Sequence, residues 1–241
     1  MTLRRVLLLE DDPLMQRFVS YATEDDPITL SCCSTVAQAM ALLQGQDTPP
    51  FDMILTDLML PGESGLSFLQ KLHATPALAA GADIVALSAG IDAQTSQQLL
   101  ALGVRRQLLK PVSVAALREV LFGRHSQEET EAVSSNQETV DEYFGGQHEL
   151  FQAFAKQCRL QFEQDIATGD AAMRTQNFNF LHELAHSLKS TLLLLGQPAS
   201  YAHCIALEQA ASTHPNEQVI AGHWSALRSQ LLSLADGRTT L

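Results

Sequence analysis

Five short apolar runs, at residues 6–9, 28–32, 53–56, 84–87 and 107–109, recur through the first half of this 241-residue chain. Runs this short and this continuously hydrophobic suit strands buried on both faces of a parallel sheet. Amphipathic patterns at helical spacing occupy residues 13–23, 35–45, 64–74, 93–102 and 113–122. A strand–helix alternation repeated five times predicts an α/β doubly wound domain with a five-stranded parallel sheet over residues 1–123. Residues 124–141 change character: Glu128, Glu129, Glu131 and Glu138 lie among Ser and Gln, which reads as an acidic, solvated linker with room for a frayed helix.

From residue 142 strand signals stop. Leu150, Phe151, Phe154, Cys158, Phe162 and Ile166 recur at helical spacing, and Gly169-Asp170 reads as a helix stop with Asp170 capping the next helix. Leu181, Leu184, Ala185, Leu188, Leu192 and Leu195 form a second stripe, closed by Gly196-Gln197-Pro198. Two more helical stretches follow, at about 199–212 and 217–235, and the short connections predict an antiparallel all-α four-helix bundle over residues 142–238.

Composition removes several function classes. Apolar residues make up 46% and charged residues 17%, a globular balance. A net charge of −12 argues against a nucleic-acid partner, which needs a basic face. Cys32 and Cys33 are adjacent while Cys158 and Cys204 are isolated, so neither a disulfide framework nor a CxxC metal clip is present. Side chains alternate along a strand, so Cys32 and Cys33 read as a packed thiol and its exposed neighbour. No apolar run approaches the ~18 residues of a membrane span. The four apolar residues after Arg4-Arg5 are too few for a signal peptide. A cytoplasmic, reduced protein without a membrane partner is expected.

In a doubly wound sheet, function gathers beyond the carboxyl ends of the strands. Here those ends carry Glu10-Asp11-Asp12, Asp57, Ser88 and Lys110-Pro111. Carboxylates crowded together repel, and a bound Mg²⁺ resolves this while leaving coordination room for a phosphate oxygen. Asp57 then reads as a carboxylate nucleophile for a phosphoryl group, with Lys110 and Ser88 offsetting charge on the transferring oxygens.

Val6-Leu7-Leu8-Leu9-Glu10-Asp11-Asp12-Pro13, Leu55-Thr56-Asp57-Leu58-Met59-Leu60-Pro61 with Gly65, Leu87-Ser88 and Leu109-Lys110-Pro111 together resemble the receiver domain of two-component response regulators. The resemblance covers about half the chain and implies a flavodoxin-like fold. It further implies a phosphoacceptor at Asp57, metal binding by Glu10, Asp11, Asp57 and the backbone carbonyl of Met59, and a cis bond at Lys110-Pro111. Gln107 departs from the pattern, because family members carry Tyr or Phe there as a rotamer switch.

In the second half, His182, His186, Lys189 and Leu193 share one helix face, opposite the leucine stripe and expected in solvent. An exposed His186 suits N-phosphorylation, with Lys189 one turn on to steady the phosphoryl group. This helix, the preceding Phe151 and Phe154, the Gly169-Asp170 turn, Gly196 and Cys204-Ile205-Ala206-Leu207-Glu208 resemble a histidine phosphotransfer (HPt) domain. The resemblance implies His186 as phosphoacceptor. Ser190 stands in place of a usual Gly, and Leu193 in place of a small residue.

His182-Glu183-Leu184-Ala185-His186 also matches the zincin HExxH pattern, with Glu208 at a spacing a third ligand could use. Lys189 beside the metal and the absence of a preceding substrate strand weigh against that distant alternative. The scattered His73, His125, His148, His203, His214 and His223 read as surface residues, and Trp224 as core.

The whole chain therefore reads as a phosphorelay intermediate: a receiver, an acidic linker and an HPt domain, with phosphotransfer chemistry and not that of a classical metabolic enzyme. Its partners would be an upstream histidine kinase or phosphotransfer donor and the receiver of another response regulator, and a homodimer stays open. A receiver-gated adaptor lacking relay at one site is the alternative. With Met1-Thr2 at the start and no ATP-binding signature, a kinase fragment is not expected.

Overall fold

The computed structural model describes residues 3–45, 49–90, 93–123, 136–212 and 216–237. The chain divides into two compact units, Met1–Glu128 and Glu129–Leu241.

In the first unit β1 (Arg4–Leu9), β2 (Ile28–Cys33), β3 (Met53–Asp57), β4 (Asp83–Ser88) and β5 (Arg106–Leu109) form one parallel sheet in the order β2-β1-β3-β4-β5. The helices between and after them are α1 (Pro13–Ala22), α2 (Val36–Gln44), α3 (Gly65–Ala74), α4 (Pro76–Ala79), α5 (Ala93–Ala101) and α6 (Val114–Phe122). Only α4 falls outside the periodic pattern, since four residues are too few to show a period. The continuous apolar runs have their physical reason in burial: Val6 to Leu9 are wholly inaccessible, and every residue of β3 is buried. Leu7, Leu9 and Ile54 pack with Val36 and Ala39 of α2 and Phe68 and Leu72 of α3. The two neighbouring thiols alternate, but in the opposite order to the expected one: Cys33 is buried and Cys32 exposed.

Because β2 lies on one side of β1 and β3 on the other, the strand order reverses between β1 and β3. That reversal opens a crevice beyond the carboxyl ends of these two strands. Helix caps sharpen the turns around it. Asp12 accepts from Leu14 N at the start of α1 at 2.8 Å, and Ser64 accepts from Ser67 N at the start of α3.

The second unit holds α7 (Asn136–Phe144), α8 (His148–Arg174), α9 (Phe178–Leu194), α10 (Pro198–Ser212) and α11 (Glu217–Ala235), and its described residues are all-α. α8 packs on α9, α9 on α10, α10 on α11 and α11 back on α8, while α7 lies on α8. The segment read as a linker with a frayed helix ends in α7, whose Val140 and Phe144 are buried. Phe144 meets Phe151 edge-on at 5.3 Å between ring centroids and Phe154 at 5.8 Å, so aromatic packing holds this polar helix in place. Residues 124–135 of the expected linker lie outside the described residues.

Gly169-Asp170 does not stop a helix. α8 runs through it to Arg174, and Asn177 caps α9 instead. A Cβ at Gly169 would lie 2.2 Å from the Trp224 ring. Beside it the Trp224 indole N–H donates to Asp170 Oδ1 at 2.9 Å, and Arg228 Nε donates to both carboxylate oxygens at 2.9 and 3.0 Å. The pair is a docking point for α11, which accounts for a mid-helix glycine. Gly196, at φ 66°, does close α9 as read from the sequence. His73 and His148 are exposed and His203 and His223 half-buried; His125 and His214 lie outside the described residues.

Gly169→Ala sets two effects against each other. Helix propensity alone favours Ala by about 1 kcal/mol, whereas overpacking against a rigid indole costs about 1–3 kcal/mol. We expect net destabilisation, measured by denaturant unfolding of the full chain. A gain in stability of the size set by propensity would contradict the packing role.

Candidate functional sites

Three strand ends deliver the first site. Glu10 follows β1, Asp57 closes β3 and Lys110 follows β5, and all three side chains are at least nine-tenths inaccessible. Lys110 Nζ donates to Glu10 Oε2 at 2.5 Å and to Asp57 Oδ2 at 2.5 Å. The cis bond at Lys110-Pro111 is present. Asp57 Oδ1 accepts from Met59 N at 2.9 Å, so one carboxylate oxygen faces its own loop and the other the lysine. The β3–α3 connection is tight: a Cβ on Gly65 would sit 1.8 Å from the Asp57 carbonyl oxygen. Only glycine lets α3 begin directly behind the aspartate.

Glu10, Asp11 and Asp57 bring one ligand oxygen each to within 4.8 Å of one another. Like charges at that separation repel by about 3.5 kcal/mol per pair at an effective dielectric of about 20. Burial, with Asp57 and Asp12 adding to it, pushes the Glu10 carboxyl well above its usual range against the opposing pull of Lys110. Burial, then the Asp57 charge, pushes Asp11 up to about 6. Burial works to lower the Lys110 ammonium, but Glu10 and Asp57 outweigh it and hold it above its ordinary value. A crowded, half-neutralised carboxylate set with oxygen donors alone fits a hard divalent cation. Asp12, next in the chain, caps α1.

Ser88 ends β4 and is buried, but its hydroxyl is engaged within its own turn: it donates to Gly90 O at 2.8 Å and accepts from Gly90 N at 3.2 Å. Gln107 sits half-buried in β5, in register with Ala86.

The second site lies between α9 and α10. His186 Nδ1 is 2.7 Å from Glu208 Oε1, and Lys189 Nζ donates to Glu208 Oε2 at 2.7 Å. The expectation of a solvent-exposed face is corrected here. The side chains of His186 and Lys189 are only 21% and 15% exposed, because α10 lies over them and Glu208 reaches across. His182 and Leu193 are half-buried as well, Ser190 is buried, and Glu183 is exposed. Partial burial would raise the Glu208 carboxyl, but the hydrogen bonds from His186 and Lys189 and their charge overcome this and hold it at about 2. An ionised carboxylate only accepts, so Nδ1 of His186 is the donor in this hydrogen bond, and Nε2 is the ring nitrogen that Glu208 does not engage.

Sequence reasoning placed Glu208 in this helix without a role beyond a possible zinc ligand. Its spacing from His186 gives no local signal, since the pair meets only when two helices pack. Among the described residues Glu10, Asp11 and Asp57 are the one set of three potential ligand atoms this close together. The HExxH histidines and Glu208 therefore do not assemble the three-ligand site a zincin needs.

Comparison with known proteins addresses the first unit directly. Residues 6–122 match the family model described as response regulator receiver domain. This half of the chain is a receiver domain. Its relatives include a probable C4-dicarboxylate response regulator, DctR, of Halalkalibacterium halodurans, 30% identical over 143 residues, covering 57% of this chain and 59% of that protein. The transcriptional regulatory protein DcuR of Escherichia coli K12 is 31% identical over 121 residues, covering 49% of this chain and 48% of that protein. The chain thus spans about half of the length of these relatives. The sensor protein TorS of Escherichia coli K12 is 26% identical over 217 residues, covering 88% of this chain and 23% of that protein. Among solved structures, the chemotaxis response regulator CheY4 of Vibrio cholerae aligns with a TM-score of 0.45 and 22% identity, covering 50% of this chain and 97% of that one. A receiver domain belongs to two-component signalling and accepts a phosphoryl group. No described helix is long and apolar enough to cross a membrane.

The raised carboxyls of the receiver domain set the pH dependence of cation uptake. A divalent cation needs Glu10 and Asp11 ionised, so binding releases protons and tightens as pH rises from about 6. Titration calorimetry with Mg²⁺ should give an affinity about tenfold or more weaker at pH 6 than at pH 8. Equal affinities with no proton release would contradict the pocket's electrostatics.

Proposed function

We propose that this chain is an intermediate of a multistep phosphorelay. The receiver domain takes a phosphoryl group on Asp57, and the helical unit is an HPt four-helix bundle that exchanges a phosphoryl group at His186 with the receiver of a partner response regulator. A histidine kinase or its phosphotransfer domain is the upstream donor. The observation that carries the reading is the His186–Glu208–Lys189 arrangement, a histidine with one free ring nitrogen and a cation one turn away, in the same chain as a receiver domain. The similarity to the sensor protein TorS supports it: 217 aligned residues exceed the first unit and must enter the helical one.

At Asp57 the carboxylate oxygen attacks phosphorus, the bond to the donor nitrogen breaks, and its electron pair returns to the donor imidazole. An acyl phosphate results. Lys110, already hydrogen-bonded to Asp57, turns its charge to a phosphoryl oxygen. Ser88 supplies a further hydrogen bond once its hydroxyl leaves Gly90. Glu10, Asp11, Asp57 and the Met59 carbonyl would hold Mg²⁺, which when bound neutralises charge on phosphoryl oxygens. At His186, Nε2 is the nucleophile and Lys189 the cation nearest the arriving group.

The two linkages differ in stability, acyl phosphate being base-labile and phosphohistidine acid-labile. Labelling with radioactive phosphoramidate and Mg²⁺ should give both kinds of label on the native chain. Asp57→Asn should remove the base-labile part, and His186→Gln the acid-labile part, with His182→Gln lowering it modestly. Acid-labile label that survives His186→Gln would move the phosphoacceptor elsewhere.

A further inference from the structure

We propose that His182 and His186 form a site for a divalent transition-metal ion of the Zn²⁺ class, and that the bound ion masks His186 from phosphorylation. The site stands on geometry alone, whereas the masking rests on the relay reading of His186. The two histidines lie four residues apart in α9, one helical turn, so they share a face. Two imidazoles at this spacing reach one ion from a single helix, at the ordinary Zn–N distance of about 2.0–2.1 Å. Nδ1 of His186 is already occupied, 2.7 Å from Glu208. A histidine that ligates through one nitrogen commonly gives its other N–H to a carboxylate, which fixes the ring. Nε2 is thus the ligand atom of His186. Both histidines are half-buried. Among the described residues no hydrogen bond or ion pair holds the His182 ring, so it turns toward an ion without breaking one.

Donor chemistry sets the class of ion. Imidazole favours Zn²⁺, Cu²⁺ or Ni²⁺, while the all-oxygen set of Glu10, Asp11 and Asp57 suits a hard cation. Each unit therefore recognises its own kind of metal. Lys189, three residues beyond His186, would repel an ion, but its ammonium is matched by Glu208 at 2.7 Å. Exposed Glu183, three residues before His186, adds negative charge beside the pair. With two protein ligands, water completes the tetrahedral shell, and the ion is held less firmly than in a closed four-ligand site. The HExxH spacing thus yields a reversible site in place of a protease centre. Its consequence is competition at one atom. Nε2 has one lone pair, and while it is donated to a metal it cannot attack phosphorus. A rise in free Zn²⁺ then lowers the fraction of His186 open to a phosphoryl group.

The test uses Zn²⁺ alone, titrated by calorimetry into the full chain in excess Mg²⁺, with the histidine ring signals followed by NMR. One Zn²⁺ should shift both the His182 and the His186 rings. Acid-labile label from phosphoramidate should fall as this site fills, and a chelator should restore it. Loss of even a supporting partner of a ligand costs about 10–100-fold in metal affinity. His182→Gln, which retains the phosphoacceptor, should therefore weaken Zn²⁺ binding about tenfold or more and raise the Zn²⁺ needed for block by the same factor. His182→Ala, the better helix former, should behave alike. Unchanged affinity and unchanged block in both variants overturn the site. Zn²⁺ that shifts both rings without lowering the label overturns the masking. A folded chain that takes no acid-labile label even without Zn²⁺ overturns the relay reading and the masking with it, while calorimetry still decides the metal site.

Discussion

One ammonium group organises the receiver domain. Lys110, carried on the end of β5, lies between Glu10 at the end of β1 and Asp57 at the end of β3. Each of the three would be costly to bury alone, and a buried carboxylate that loses its partner destabilises by about 3–5 kcal/mol. The sheet order explains why they meet: β1 and β3 flank the reversal point, and the chain beyond β5 returns across it. Gly65 then lets α3 start directly behind Asp57, so that its carboxylate is set from one side by backbone and from the other by charge. Glu10, Asp11 and Asp57 keep a mutual repulsion that a divalent cation would relieve.

The helical unit uses the same physical device in a wetter setting. Glu208 sits between a cation and an imidazole, and its two oxygens hold both in one geometry. Partial exposure limits how much this clasp stabilises the fold. Its consequence is geometric: one carboxylate ties the His186 ring and the Lys189 ammonium of α9 to α10. The Asp170–Trp224–Arg228 cluster, by contrast, is a packing joint between α8 and α11, with Gly169 making room for the indole.

How much of this could be read from the residues follows from how local each signal is. Buried parallel strands write themselves as apolar runs, so all five were legible to within one or two residues. That Glu10, Asp57 and Lys110 meet is legible because strand ends in such a sheet converge on one crevice, whereas the bond of Ser88 to Gly90 within its own turn is not. Gly169-Asp170 reads as a helix stop because a glycine in a helical stretch signals one unless a distant residue, here Trp224, requires the space. The burial of His186 and the grip of Glu208 depend on α9 meeting α10, a contact that no periodicity encodes. The buried aromatic face of α7 is too short to stand out from its polar surroundings.

The claim that joins both halves of the molecule is that His186 exchanges a phosphoryl group with a receiver carboxylate. The direct measurement is a chase. The full chain carrying Asp57→Asn is loaded on His186 with radioactive phosphoramidate, freed of donor, and mixed with the chain carrying His186→Gln and Mg²⁺. The account predicts that acid-labile label declines as base-labile label appears on Asp57 of the second chain. Label that stays on His186, or leaves only as inorganic phosphate, with this receiver and with those of a panel of response regulators, would contradict it.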